Sequence, residues 1–239
     1  MDRRTIKFCE KVVRLIDPAF IGPCYFVEPR QARAAVAQTG YAAVTRFGLA
    51  GDVRGFLERH RLWRGPGFCA AIALDQIHST LQLAGVVAHE YTHHCQSAAQ
   101  MARVQDVLGD EQFFRAISTP SDRVQAGTPP EPISSDDAAL RTMHDPDFFR
   151  LAIHAQYRLW QAGYCTFVTD PQQMYGWPPR MEFVRHLGDE PARLFNLPMG
   201  VVAETTPPIE YQNFAVAISA NGTTHPIIRT IENVENENV

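Results

Sequence analysis

Residues 87–96 read VAHEYTHHCQ, and the fold of the chain turns on whether that run is helical. Two histidines four apart, His89 and His93, project from one side of a helix, because four residues at about 3.6 per turn nearly complete a turn. Their ring nitrogens can then converge on one ion. The flanks favour a helix. Ser79-Thr80-Leu81-Gln82 has the form of a capping box, with the Ser79 hydroxyl accepting from the Gln82 amide and the Gln82 side chain reaching back. From Leu81 the run LQLAGVVAHEYTHHCQSAAQM contains no proline and offers Leu83, Ala84, Val86 and Val87 for burial. Gly85 lowers helix propensity, so it marks a point where a neighbouring element comes close.

Working outward, the 239 residues are 45% hydrophobic and suffice for one domain with a substantial core. The formal net charge of -4 is uneven: residues 1–64 carry 12 basic against 6 acidic side chains, and the remainder 10 against 20. That asymmetry is the ordinary signature of solvated faces, and no nucleic-acid partner is inferred from it. Cys9, Cys24, Cys69, Cys95 and Cys165 are odd in number and scattered without a CxxC pair, as reduced and mostly buried thiols are. No signal-peptide core and no membrane-length apolar run occurs, so a cytoplasmic protein without membrane association is expected, with leaderless secretion as an effector the other route.

Thr5 to Ile16 has helical spacing (Ile6, Cys9, Val12, Val13, Ile16) and stops at Asp17-Pro18. CYFVE reads as a strand, RQARAAVAQTG as a helix closed by Gly40, VRGFLERHRLW as another helix, and GFCAAIAL as a strand leading into the motif helix. Residues 118–137 form a surface loop, rich in Pro, Ser, Thr and acid. Asp147 to Val168 reads as one long helix with Phe149, Ile153, Tyr157, Trp160 and Tyr164 on a core stripe. MEFVRHL resumes a short helix, YQNFAVAISANG fits a helix better than a hairpin, and residues 232–239 fray. The fold class is therefore α+β: one mainly helical domain with a small sheet packed against the motif helix.

The chemistry explains the residue types. Catalytic zinc takes three protein ligands and a water, and neutral imidazoles from His89 and His93 suit it. Glu90 stands where its carboxylate can accept a proton from that water and pass it to a departing amine. His94 points about 100° away on the helix and is structural, as is Cys95.

GVVAHEYTHHCQ, with the preceding apolar strand, resembles the active-site helix of the zincin metallopeptidases over about thirty residues. The resemblance implies that His89 and His93 bind Zn2+, that Glu90 is the general base, that GFCAAIAL is an edge strand aligning substrate, and that the reaction is hydrolysis of a peptide or protein. The third ligand departs from the known branches. Gln96 and Ala99 occupy the Gly and His positions of HExxHxxGxxH, and Ala162 occupies the glutamate position in QAGYCTFV, which otherwise resembles a second-helix motif. His154, on the same expected helix two turns before Ala162, ranks first as third ligand. Asp170 follows, then Glu182 and His186 as an i, i+4 pair, with Asp145, Glu204 and Glu210 near loops or helix starts. Tyr164 and Tyr175 are candidate oxyanion donors. Two other classes stand beside the peptidase: a degenerate zincin kept as a binding module, and a non-peptidase metal enzyme such as a two-histidine-one-carboxylate iron oxygenase.

Overall fold

In the computed structural model, residues 1–28, 43–45, 56–65, 67–96, 144–168, 178 and 180–220 are described. Asp2 opens the first helix, α1 (Arg3–Ile16), by accepting from the Arg4 and Thr5 amides, and Asp17 closes it. The spacing seen in the sequence is realised: Cys9, Val12, Val13 and Ile16 are fully buried and Ile6 packs against them.

Three strands follow: β1 (Cys24–Val27), β2 (Ala43–Thr45) and β3 (Phe68–Ile72). β3 lies in the centre, parallel to β1 with Cys24 opposite Phe68, and antiparallel to β2 with Ala43 opposite Ile72. Every residue of β1 and β3 is buried, which suits a sheet covered on both faces. Phe26, Phe68, Ala70 and Ile72 face the helices, while Tyr25, Val27, Cys69 and Ala71 pack on Leu57, Phe56 and Trp63. The expected role of GFCAAIAL is thereby corrected. A strand hydrogen-bonded on both sides has no free backbone to offer a substrate.

The motif helix, α2, covers residues 80–96. Ser79 Oγ accepts from the Gln82 amide at 3.0 Å as the capping box requires, but Gln82 Oε1 reaches the amide of His78, one residue beyond the expected position, at 2.7 Å. Helix α3 (Pro146–Gln161) has Asp145 as its N-cap and packs against α1, α4 (Arg180–Leu187), α5 (Glu190–Arg193) and α6 (Met199–Glu204). The last helix among the described residues, α7 (Ile209–Ala220), settles the choice against a hairpin in that segment. No helix among the described residues is long and apolar enough to cross a membrane.

Two expectations about α3 fail for local reasons. The helix ends at Gln161 rather than Val168, because Gly163 takes φ +84° and completes a Schellman stop: its amide donates to Trp160 O at 3.0 Å and that of Tyr164 to Leu159 O at 2.8 Å. The core stripe is also wider than one face. Phe149 and Ile153 are buried as expected, Trp160 is largely exposed, and Arg150, His154 and Arg158, which share a polar face, are all buried. Of the segment 53–63, residues 56–59 are helical. The helix expected over 30–40, the loop 118–137 and the tail 232–239 lie outside the described residues.

All five cysteines are free, and all but Cys165 are buried. Burial pushes the Cys9 thiol up to about 12 and Cys24 to about 11, so both stay protonated at neutral pH. Gly85 is indeed a close-approach point. A Cβ there would stand 2.4 Å from Phe167 O and 3.0 Å from Thr166 Oγ1. Gly85→Ala is therefore expected to lower unfolding stability by about 1–3 kcal/mol, read from denaturant midpoints, against the gain in helix propensity that alanine normally brings.

Candidate metal centre

α2 delivers His89 and His93 to one side, and the chain entering α3 delivers a third ring, His144, immediately before the Asp145 cap. His144 Nε2 lies 3.0 Å from His93 Nε2 and 3.1 Å from His89 Nε2. One nitrogen from each ring falls within 4.8 Å of the others. Three nitrogens held tetrahedrally at about 2.0–2.1 Å from an ion would stand about 3.3 Å apart, so the set is close to metal-ready.

Hydrogen bonding at the far side of the rings fixes their polarity. His89 Nδ1 lies 3.0 Å from Val168 O, and a carbonyl can only accept, so Nδ1 carries the proton and Nε2 presents a lone pair. His93 hydrogen-bonds the Gln96 side chain. Gln96 Nε2 also donates to Asp145 Oδ1 at 2.7 Å, which anchors that side chain beside the His93 ring. The bare Nε2 of His89 and the Nε2 of His93 both face His144 Nε2, which can satisfy one of them at most. The donor chemistry fits a cation bound by all three rings.

Burial keeps the His89 and His93 rings neutral. It lowers His89 to about 4, partly offset by the bond to Val168 O, and carries His93 well below its usual value, helped by the neighbouring His89 and His144 rings. Neutral imidazole is the form that ligates. Phe148, from the first turn of α3, supplies an apolar backing: its ring stacks on His93 at 4.3 Å and lies 4.9 Å from His89 and 4.6 Å from His144. Such a shell keeps the local dielectric low. His89 and Glu90 open on a cleft of about 480 Å³ shared with Ser79, Leu81, Gln82, Gly85, Val86 and residues 165–168. Glu90 itself is buried.

The third ring of the cluster therefore differs from the residue ranked first by sequence. His154 is fully buried away from this group, with Nε2 3.4 Å from Glu190 Oε1, and Glu190 is held in turn by Arg150. Buried on a helix next to an acid, it is a core polar residue. Glu182 faces solvent and pairs with Arg185 and His186, whose ring stacks on Phe214 at 4.4 Å. Glu204 and Glu210 are exposed. Asp145 serves as cap and as acceptor for Gln96. Asp170 and Tyr175 lie outside the described residues, and Tyr164 Oη accepts from Lys11 Nζ. His94 turns away as its place on the helix requires, into Phe20, Phe68 and Tyr91. A sequence signal for His144 existed in His-Asp-Pro, where Asp-Pro marks the cap and first residue of a helix and places the histidine at its mouth.

Comparison with protein-family models, with curated proteins and with solved structures finds no match. The geometry alone carries the functional reading.

His144→Ala is expected to abolish tight metal binding while leaving the fold intact. His154→Ala should keep one metal per chain and instead lose about 2–4 kcal/mol of stability, through the cavity and the lost bond to Glu190. Metal content by mass spectrometry beside thermal melts separates the two; metal retained in His144→Ala and lost in His154→Ala would reverse the assignment. Gln96→Ala, which frees both His93 and Asp145, should weaken metal affinity about 10–100-fold in a competitive chelator titration.

Proposed function

We propose that this chain is a zinc-dependent hydrolase that cleaves peptide bonds, with Glu90 as general base. The single observation that carries the reading is the convergence of three imidazole Nε2 atoms beside a cleft that Glu90 also lines. Three neutral imidazoles suit zinc, and they supply the coordination that a catalytic zinc site uses while leaving one position open. A zinc ion held by His89, His93 and His144 would supply Lewis acidity, polarising a carbonyl and acidifying water at neutral pH.

The chain's own residues do the rest. Glu90 follows His89 on α2, so its carboxylate can take a proton from water in the cleft and return it to the departing amine. Val168 O holds the His89 ring at a fixed orientation and tautomer, and the Gln96 side chain hydrogen-bonds His93. Phe148 excludes water from the rear of the site. The geometry resembles that of zincins in its helix and departs from them in the source of its third ligand, which comes from the mouth of a following helix.

A binding module that has lost its ion would follow from Ala162 alone, but His144 offers a nitrogen in place of the absent carboxylate. An iron oxygenase of the two-histidine-one-carboxylate kind would want a carboxylate where His144 stands. The hydrolase reading is favoured over both.

Glu90→Gln is expected to retain one zinc per chain and lose at least about 100-fold in peptide-cleavage rate. Cleavage followed by mass spectrometry on zinc-loaded wild type and variant tests this. Equal activity in the two proteins would remove Glu90 from the mechanism, and no cleavage of any peptide by zinc-loaded wild type would end the peptidase reading.

A further inference from the structure

Large apolar side chains rarely stand in water without a reason when they cluster at the mouth of a cleft. Phe167 is 68% exposed and Leu81 44% exposed, and both line the cleft that holds His89 and Glu90. Half-buried Val86, on α2 with Leu81, lines the same cleft. Phe167 is not loose. Trp160 meets its ring edge-on at 6.4 Å, and the Arg180 guanidinium sits 5.4 Å from its centroid. The segment that carries it is fixed on both sides, by Trp160 Nε1 donating to Thr166 O at 2.8 Å and by the Gln156 carbonyl receiving the Val168 amide at 3.3 Å. Its near approach to α2 depends on the bare Cα of Gly85.

The electrostatics point the same way. Among the described residues lining the cleft, Glu90 is the one carboxylate and no Lys or Arg occurs; the others are His89, Ser79, Gln82, Cys165, Thr166 and apolar groups. Away from Glu90 the lining offers no charge to a substrate side chain, so a charged group would leave water there at a cost that an apolar side chain avoids.

Resting on the hydrolase reading above, we propose that the cleft selects a peptide with a bulky apolar side chain adjoining the scissile bond, seated between Leu81, Val86 and Phe167. Phe167 and Leu81 are the specificity-determining residues, and Trp160 and Arg180 position Phe167. An aromatic or branched aliphatic side chain would exclude water from both exposed faces at once, and the pre-fixed Phe167 loses little freedom on binding.

The test uses the full chain loaded with zinc and reads binding apart from turnover. Fluorescein-labelled peptides identical but for one position, Phe, Leu, Asp or Lys, are titrated against Glu90→Gln by anisotropy. Their cleavage by wild type is measured separately. Expected are at least about tenfold tighter binding of the Phe and Leu peptides over the Asp and Lys peptides, and loss of most of that margin in Glu90→Gln combined with Phe167→Ala or with Leu81→Ala, at unchanged zinc content. A Trp160→Phe background, which keeps the aromatic contact but removes the bond to Thr166 O, should show an intermediate margin. Equal binding of all four peptides, or a margin untouched by both substitutions, overturns the proposal even if wild type cleaves them. Apolar preference without any cleavage by wild type would uphold the binding specificity and overturn the hydrolase reading.

Discussion

Three imidazole nitrogens brought to one point cannot all satisfy one another, because His144 Nε2 can hydrogen-bond one of its two neighbours at most, and a cation between the rings would relieve that conflict. At separations of 3.0 and 3.1 Å the nitrogens are too close to be indifferent to each other. The far side of the His89 ring is tied down by Val168 O, so that ring cannot relieve the crowding by flipping, and His93 is hydrogen-bonded by the Gln96 side chain. Low dielectric around the Phe148 ring sharpens the demand for a cation, since both repulsion and ion binding grow as water is excluded.

Holding His144 in place requires that α3 be rigid, and its rigidity comes from an unusual interior. Arg150 and Glu190 form a buried ion pair, extended by Thr205, whose carbonyl and hydroxyl both accept from Arg150 at 2.8 Å. Arg158 donates to three backbone carbonyls, Ile16 O, Leu194 O and Leu197 O, tying α3 to the ends of α1 and of the α5 region. Desolvating such groups is expensive, and removing one partner typically costs about 3–5 kcal/mol because the other is left buried alone. These bonds therefore contribute more to fixing the direction of α3 than to net stability. Tyr91 adds the link to the motif helix, donating to Asp17 Oδ2 at 2.8 Å where α1 ends.

The other wall of the cleft depends on a single missing methyl. With no Cβ at position 85, the 166–168 segment can lie against α2, which brings Val168 O to His89 and turns Phe167 outward at the cleft mouth. Ring orientation in the three-histidine cluster and the apolar character of the cleft thus share one cause. The central place of β3 explains why this segment, rather than the strand before the motif, forms the wall: β3 is consumed by pairing on both sides, and its side chains are buried on both faces.

The sequence alone determined what short-range chemistry controls. The capping pattern at Ser79, the four-residue spacing of His89 and His93, the apolar spacing of α1, the close approach at Gly85 and the apolar run of β3 each depend on residues within a turn or two of one another. Gly163 was an equally local signal for the end of α3, outweighed in the pattern by the apolar residues beyond it. Only the tertiary structure decided the third ring and the fate of the polar face of α3. His144 lies 51 residues from His93 along the chain, so nothing in periodicity connects them. His154, Arg150 and Arg158 have the spacing of a solvated stripe, and that spacing is silent about whether water or Glu190 and a set of backbone carbonyls will satisfy them. Burial of a charge depends on a partner, and a distant partner is a property of the packed chain.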